Sequence, residues 1–304
     1  MQMRFRRYVF ALIAALAAVP MLAVPVAAHE TGNEDGNGAY LAIGDSISFG
    51  TNPLVDPRNA ANFTGFPTPV AQALDLAVTN PSCPGEASGG FISFTGTDNV
   101  CRPYRANFPL HVNYTTTQLA FTVHFLKTHH DTRLVTFEIG ANDLFVLVNS
   151  CTGPPPASVL NVGCVVAGVP ALLAALKANL DTIYGAIRNN AHYHGLLVGL
   201  TYYSGNYADP VGTSLIGAID SVLAERTLHW GGVVADGFGA FAIASHNGDT
   251  CAAGLRIPLP AGGCDVHPTV AGRNLLAAAV VAAVAAAEGE QGDHNNHQEG
   301  DNQS

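Results

Sequence analysis

Basic residues are scarce in this chain: 13 Lys and Arg stand against 23 Asp and Glu in 304 residues, a formal net charge of −10. Three of the bases, Arg4, Arg6 and Arg7, precede the first apolar run, and eight of the acids lie in the two ends. The body from Ala39 to Ala287 therefore holds 15 acids against 10 bases, with no basic stripe to meet a phosphate backbone. That disfavours nucleic acid as a partner. An internal repeat and a Pro- or Gly-rich linker are missing too, so this body of about 250 residues reads as one domain around one core. Composition alone names no function.

The ends are distinct from the body. Arg4, Arg6 and Arg7 lead an apolar run from Tyr8 to Val24, followed by Pro25 and Val26-Ala27-Ala28. Residues 1–28 read as a secretory signal peptide cleaved after Ala28. An uncleaved membrane anchor is the competing reading; the small residues at the end of the run favour cleavage, after which no stable membrane span is expected. Residues 29–38 contain nothing apolar that could anchor them to a core and read as a flexible leader. Residues 288–304, built from Gly, Asp, Glu, Asn, Gln and His with a terminal Ser, read as a disordered acidic tail.

Behind an export signal, six cysteines imply disulfides rather than free thiols. They fall into three sequence-local couples, Cys83–Cys101, Cys151–Cys164 and Cys251–Cys264, and these are the expected pairs. No couple shows the short ligand spacing of a structural zinc site.

Apolar strands alternate with helical patterns. Strands are expected over Tyr40–Ile43, Arg133–Ile139, Leu196–Leu200 and Gly232–Ala235, with a short one competing near Leu76–Thr79. Helices are expected from Thr68-Pro69, with Val70, Leu74 and Val78 spaced for one face, and over Thr115–Leu126, Val169–Ile187, Ser214–Leu228 and Thr269–Ala287. Parallel neighbours need crossover connections, so the alternation predicts a central parallel sheet covered by helices on both faces. Ligands of such sheets sit at the carboxyl ends of the strands.

The polar residues at those ends form three groups. Gly44-Asp45-Ser46 follows the first strand, where a serine serves as nucleophile or helix cap; no G-x-S-x-G surrounds Ser46, which excludes an α/β-hydrolase elbow. Gly140-Ala141-Asn142-Asp143 follows a second strand, where Asn142 can offer an amide donor to an oxyanion or form an ordinary Asx-turn. Asp265-Val266-His267-Pro268 stands before the last helix, where His267 serves as general base or as a capping residue.

In this order the groups resemble the SGNH (GDSL) hydrolase family, which has a GDS motif near the start, a central glycine, a G-x-N-D motif and a final D-x-x-H. The resemblance covers almost the whole body. It implies a flavodoxin-like three-layer α/β/α sandwich of about five parallel strands and a secreted serine esterase or lipase acting on a small-molecule or lipid ester. Ser46 would be the nucleophile, His267 the base, and the N–H groups of Ser46 and Gly85 with the Asn142 amide would form the oxyanion hole. This chain departs at one point: the acid is Asp265, two residues before His267, where the family usually places it three before. Either Asp265 or a backbone carbonyl near Cys264 orients the imidazole.

Such a mechanism needs no metal and no organic cofactor, and the expected state is a monomer. A carbohydrate acetyl esterase on the same site and a non-catalytic binding module retaining the fold are the alternatives. Tyr202 and Tyr203, after a strand on the active-site side, are candidates for the substrate pocket. The stretch from Phe145 to Val165 forms a wall over the cleft or an ordinary surface excursion. His129-His130 and His192-Tyr193-His194 read as surface or strand-start residues rather than metal ligands, and the sequons at Asn62 and Asn113 matter only in a glycosylating host.

Overall fold

The computed structural model describes residues 38–155 and 158–300. The chain divides into two units, Met1–Thr31 and Gly32–Ser304. The first, with the expected signal peptide and the leader as far as Asn37, lies outside the described residues, so the elements below all belong to the second.

The first half comprises β1 (Ala39–Gly44), α1 (Ser46–Phe49), α2 (Pro67–Leu74), β2 (Ala77–Thr79), α3 (Ser88–Ile92), α4 (Cys101–Asn107), α5 (Gln118–Thr128) and β3 (Thr132–Glu138). The second comprises α6 (Ala141–Ser150), α7 (Val162–Gly185), β4 (Leu196–Leu200), α8 (Pro210–His229), β5 (Val233–Ala235), α9 (Gly237–Ala244), β6 (Arg256–Pro258), β7 (Cys264–Pro268) and α10 (Val270–Gly300). Five strands form one sheet in the order β2-β1-β3-β4-β5, and every pairing in it is parallel. This is the doubly wound, flavodoxin-like order, with its topological switch between β1 and β3. Helices α2, α9 and α10 pack together, and α3, α6, α7 and α8 form a second group. The fold is the three-layer α/β/α sandwich expected from the sequence.

The central strands explain themselves physically. Tyr40, Leu41, Ala42 and Ile43 are fully buried, as are Val135, Phe137, Leu197 and Val198, because a parallel sheet is covered on both faces and needs continuous apolar strands. The helices bury one stripe each: Leu176, Leu180, Ile183 and Tyr184 from α7, and Leu276, Ala277, Val280 and Val284 from α10. Two segments, Val162–Asn190 and Val270–Gly289, are also long and apolar enough by length and composition to cross a membrane.

Several boundaries differ from expectation. Helix α2 starts at Pro67 with Phe66 as its N-cap, because proline at the first position is already set for the helix. Helix α7 begins seven residues before Val169, capped by the Asn161 side chain on the Cys164 N–H, and runs through Pro170. Helix α10 continues past Ala287 to Gly300, which corrects the expectation of a disordered tail for that stretch. A helix already nucleated by the packed residues of α10 extends at little cost into Glu and Gln, and no proline stops it. Residues 301–304 lie outside the described residues.

All three expected disulfides are present, Cys83–Cys101, Cys151–Cys164 and Cys251–Cys264. The last ties the start of β7 to the loop before β6, with which β7 forms a small antiparallel ladder.

Candidate active site

Strand β1 delivers the chain to Gly44, whose φ of 147° belongs to glycine. A Cβ there would lie 2.2 Å from the Glu138 carbonyl oxygen on β3. The Gln118 side chain, from the start of α5, clamps this turn from both sides: its Oε1 accepts from the Gly44 N–H at 2.8 Å and its Nε2 donates to the Gly44 carbonyl at 3.0 Å. Asp45 then caps α1, its Oδ1 accepting from the Ile47 N–H at 3.0 Å. Ser46 is thereby the first residue of α1, half-buried at the carboxyl end of β1.

Ser46 lines a cavity of about 200 Å³ together with Asp45, Ile47, Asn142, Phe145 and Tyr202. Ile216, Arg256 and Val266 complete much of its wall, and Tyr203 lies in it as well. The cavity opens at the β1/β3 switch point, where the doubly wound topology leaves a crevice. Phe145 belongs to α6, so of the stretch from Phe145 to Val165 its first residue lines the cavity.

One buried carboxylate organises this region. Asp45 Oδ2 accepts from Asn142 Nδ2 at 2.9 Å and from the Tyr202 hydroxyl at 2.8 Å. Asn142 Oδ1 in turn accepts from Asn99 Nδ2 at 3.0 Å. Beneath Asp45 lies Glu138, 1% exposed, whose Oε2 accepts from the Ser48 hydroxyl at 3.3 Å while Oε1 has no hydrogen-bond donor. Burial pushes both carboxyls up; the Ile47 N–H and Tyr202 hydroxyl oppose this at Asp45, whereas at Glu138 the charge of Asp45 adds to it. Two carboxylates this close and this dry do not both ionise. Asp45 has three donors and Glu138 one, so the upward push is the stronger at Glu138.

His267 sits on β7, which packs beside α1. Its Nδ1 is hydrogen-bonded to Asp265 Oδ1, and the same oxygen accepts from the His267 backbone N–H at 3.0 Å. The His267 hydrogen bond holds the Asp265 carboxyl below its ordinary range. The contact assigns the ring proton to Nδ1 and leaves Nε2 as the acceptor; Nε2 is buried without a partner. Strand β7 is held by the Cys251–Cys264 bridge and by the Tyr203 hydroxyl, which donates to the Val266 carbonyl at 2.7 Å while its ring stacks on Phe241 at 4.0 Å.

The arrangement joins Ser46, Asn142, Tyr202 and Tyr203 in one cavity and Asp265 to His267. It does not hydrogen-bond Ser46 to His267, and Gly85 does not line the cavity. Catalytic hydrogen bonds are often long before substrate binds. Gly85 lies in a tight turn with φ 80°, where a Cβ would meet Val100 Cγ2 at 2.1 Å. Its carbonyl accepts from the Asn99 and Val100 N–H groups, each at 3.2 Å, which links this turn through Asn99 to Asn142. The Cys83–Cys101 bridge closes the same turn.

Sequence reasoning missed Asp45, Asn99, Gln118, Glu138 and Arg256. For Glu138 a signal existed, a carboxylate ending an otherwise apolar strand; the others are ordinary loop, helix and hairpin residues until the fold brings them together. Asp143 serves α3 rather than the cavity, accepting from the Ser88 N–H and hydroxyl at 2.9 and 2.6 Å. Among the described residues, one grouping of metal-ligating side chains occurs, Cys83, Glu86 and Cys101, and its two sulfurs are spent in the disulfide. His129 stacks on Phe125 and bonds the Phe125 carbonyl at the end of α5.

Comparison with protein-family models finds none that matches, and no curated protein matches either. Solved structures do. An α/β hydrolase from the metagenome of Lake Arreo, Spain, superposes with a TM-score of 0.52 at 14% identity, over 82% of this chain and 95% of that one. Phospholipase A1 from Streptomyces albidoflavus NA297 gives 0.51 at 21%, over 83% and 99%. A catalytic mutant of an acetylxylan esterase from Geobacillus stearothermophilus gives 0.50 at 18%, over 82% and 94%. At such identities the likeness establishes the fold.

Proposed function

We propose that the chain is an exported serine hydrolase of the SGNH (GDSL) type that cleaves carboxylic esters, with Ser46 as nucleophile and His267 as base. The observation that carries this reading is a cavity-lining serine that opens α1, together with a histidine on β7, a strand packed against α1, whose Nδ1 is held by Asp265 and whose Nε2 has no partner. Structural neighbours that are esterases and a phospholipase support ester hydrolysis. The sequence signature of an export signal, with three disulfides in the folded body, supports secretion.

In the first half-reaction Ser46 Oγ bonds to the ester carbonyl carbon as His267 Nε2 takes the hydroxyl proton. The tetrahedral intermediate collapses, its bond to the alcohol oxygen breaks, and His267 returns the proton to that oxygen. Water then attacks the acyl-enzyme by the same route and releases the acid. The developing oxyanion is met by the Ser46 N–H and the Asn142 amide, while Gly85 stays outside the cavity in its pinned turn. Asn142 Nδ2 has a second hydrogen beyond the one given to Asp45. Asp45 acts at one remove, by fixing Asn142 and the α1 turn.

The cavity volume favours short acyl groups, since about 200 Å³ lies below the roughly 300–1,000 Å³ of pockets for drug-sized ligands. That observation keeps acetyl-ester hydrolysis as the second reading. The test is hydrolysis of p-nitrophenyl acetate, butyrate and palmitate by the wild-type protein beside its Ser46→Ala variant. Activity on the short esters, absent from the variant, supports the assignment; equal activity in both proteins refutes it.

A further inference from the structure

Among the residues lining the Ser46 cavity, Arg256 is the single cation. It opens β6 with its side chain only 16% exposed. Among the described residues its one ion pair is a distant one, Nη2 to Asp249 Oδ1 at 3.8 Å, and that carboxylate is 47% exposed. Its Nε is buried and has no acceptor. A guanidinium offers five N–H donors in a rigid fork, so most of this one's capacity is unused.

The charge of Arg256 helps hold the Asp265 carboxyl low, but the neighbouring acids do not take up its hydrogen-bond donors. Asp45 is satisfied by Ile47, Asn142 and Tyr202, and Asp265 is engaged by His267 through Oδ1. Gly205 opposite has no side chain, and a Cβ there would stand 3.2 Å from Arg256 Nη1. The fork is thus left uncovered on a side where any larger residue would touch it. The rest of the wall, with Ile47, Phe145, Ile216 and Val266, is apolar.

We propose that Arg256 is a specificity residue that binds an oxyanion carried by the ester substrate, either a carboxylate on its acyl part or a phosphate on its alcohol part. The proposal rests on the esterase reading above. An arginine fork matches both groups with two parallel hydrogen bonds, and apolar walls strengthen such a pair relative to water. Ser46 and Arg256 line the same small cavity, so one compact substrate reaches both.

The test compares kcat/KM for anionic and neutral esters in wild type, Arg256→Gln and Arg256→Lys. Mono-p-nitrophenyl glutarate is set against p-nitrophenyl butyrate for an acyl-side charge, and the butyryl ester of glycerol phosphate against monobutyrin for an alcohol-side charge. In at least one arm Arg256→Gln is expected to lower the anionic-to-neutral ratio by about 10- to 100-fold, the span of one or two charge-assisted hydrogen bonds. The lysine variant should fall between, and it carries the test alone if the glutamine variant does not fold. The responding arm identifies which end of the substrate bears the charge. Equal loss on charged and neutral esters, or no loss, in a variant with the wild-type circular dichroism spectrum overturns the proposal. If wild type hydrolyses none of these esters, the esterase reading fails by itself. Calorimetric titration with glutarate and with monobutyl phosphate then decides the subsite: binding weakened in Arg256→Gln retains it, and equal or absent binding removes it.

Discussion

Asp265 Oδ1 holds both the imidazole Nδ1 and the backbone N–H of His267, two residues further along the same strand. The acid needs no third residue of spacing, because one oxygen closes a local turn onto the backbone and still reaches the ring. Asp265→Asn keeps the shape but offers an amide that can donate to Nδ1 and favour the wrong tautomer. A kcat lower by about 10²- to 10⁴-fold on p-nitrophenyl butyrate is expected, with KM changed little. A fall below threefold would mean that Asp265 does not set the tautomer.

Asn142→Ala removes the proposed oxyanion donor and also one of the three donors to Asp45. The expected kcat loss is about 100- to 1000-fold, accompanied by destabilisation of about 1–3 kcal/mol from the buried group left unpaired. Urea unfolding measured beside steady-state kinetics separates the two. Lost stability with intact kcat would confine Asn142 to a structural role.

Buried acids should make the fold sensitive to alkali. Burial and the charge of Asp98 push Glu86 up to about 8, burial and the charge of Asp236 push Asp220 up to about 8, and Glu138 is raised as well. A raised folded pKa means stability that is complete below the unfolded value and lost as pH rises through the folded one. Wild-type Tm should therefore fall from pH 5 to pH 9, and Glu86→Gln should flatten that slope by removing one of the titrations. Parallel slopes for the two proteins would show that Glu86 is not protonated in the fold.

The disulfides should differ in consequence. Paired Cys→Ser changes at Cys83 and Cys101, or at Cys151 and Cys164, open loops with sequence separations of 18 and 13, each worth roughly 3 kcal/mol in the chain-entropy model. Only the first pair holds the turn of Gly85 and Asn99 that supports Asn142. Both double variants should lose similar Tm, and only the Cys83/Cys101 variant should lose kcat as well; equal kcat in the two would separate the Gly85 turn from catalysis.

The sheet was legible because its strands are continuous apolar runs, Tyr40–Ile43 and Leu196–Leu200 above all, and because strands and helices alternate. The disulfides were legible because their partners are near neighbours in the chain. Helix ends were less so: the start of α7 after Asn161 is interrupted by Gly163, Gly168 and Pro170, which read as breakers, and nothing in Glu288–Gly300 alone announces a helix. At the site, the motifs located Ser46, Asn142 and His267, each at the end of a strand or beside the last helix. They said nothing of Gln118, which reaches Gly44 across 74 residues, or of Arg256, which enters the cavity from a hairpin with no motif. Residues that act through tertiary contact leave no spacing to read.

The Asp45 carboxylate receives hydrogens from the turn after β1, from α6 after β3 and from the segment after β4. Asp45, Asn142 and Tyr202 are therefore a single inheritable unit: a change at one strands a polar atom on another, so stepwise replacement passes through destabilised intermediates. Phe145, Ile216 and Val266 carry no such obligation. Libraries aimed at new substrates should leave the first three fixed and vary the last three, where diversity is free of that debt.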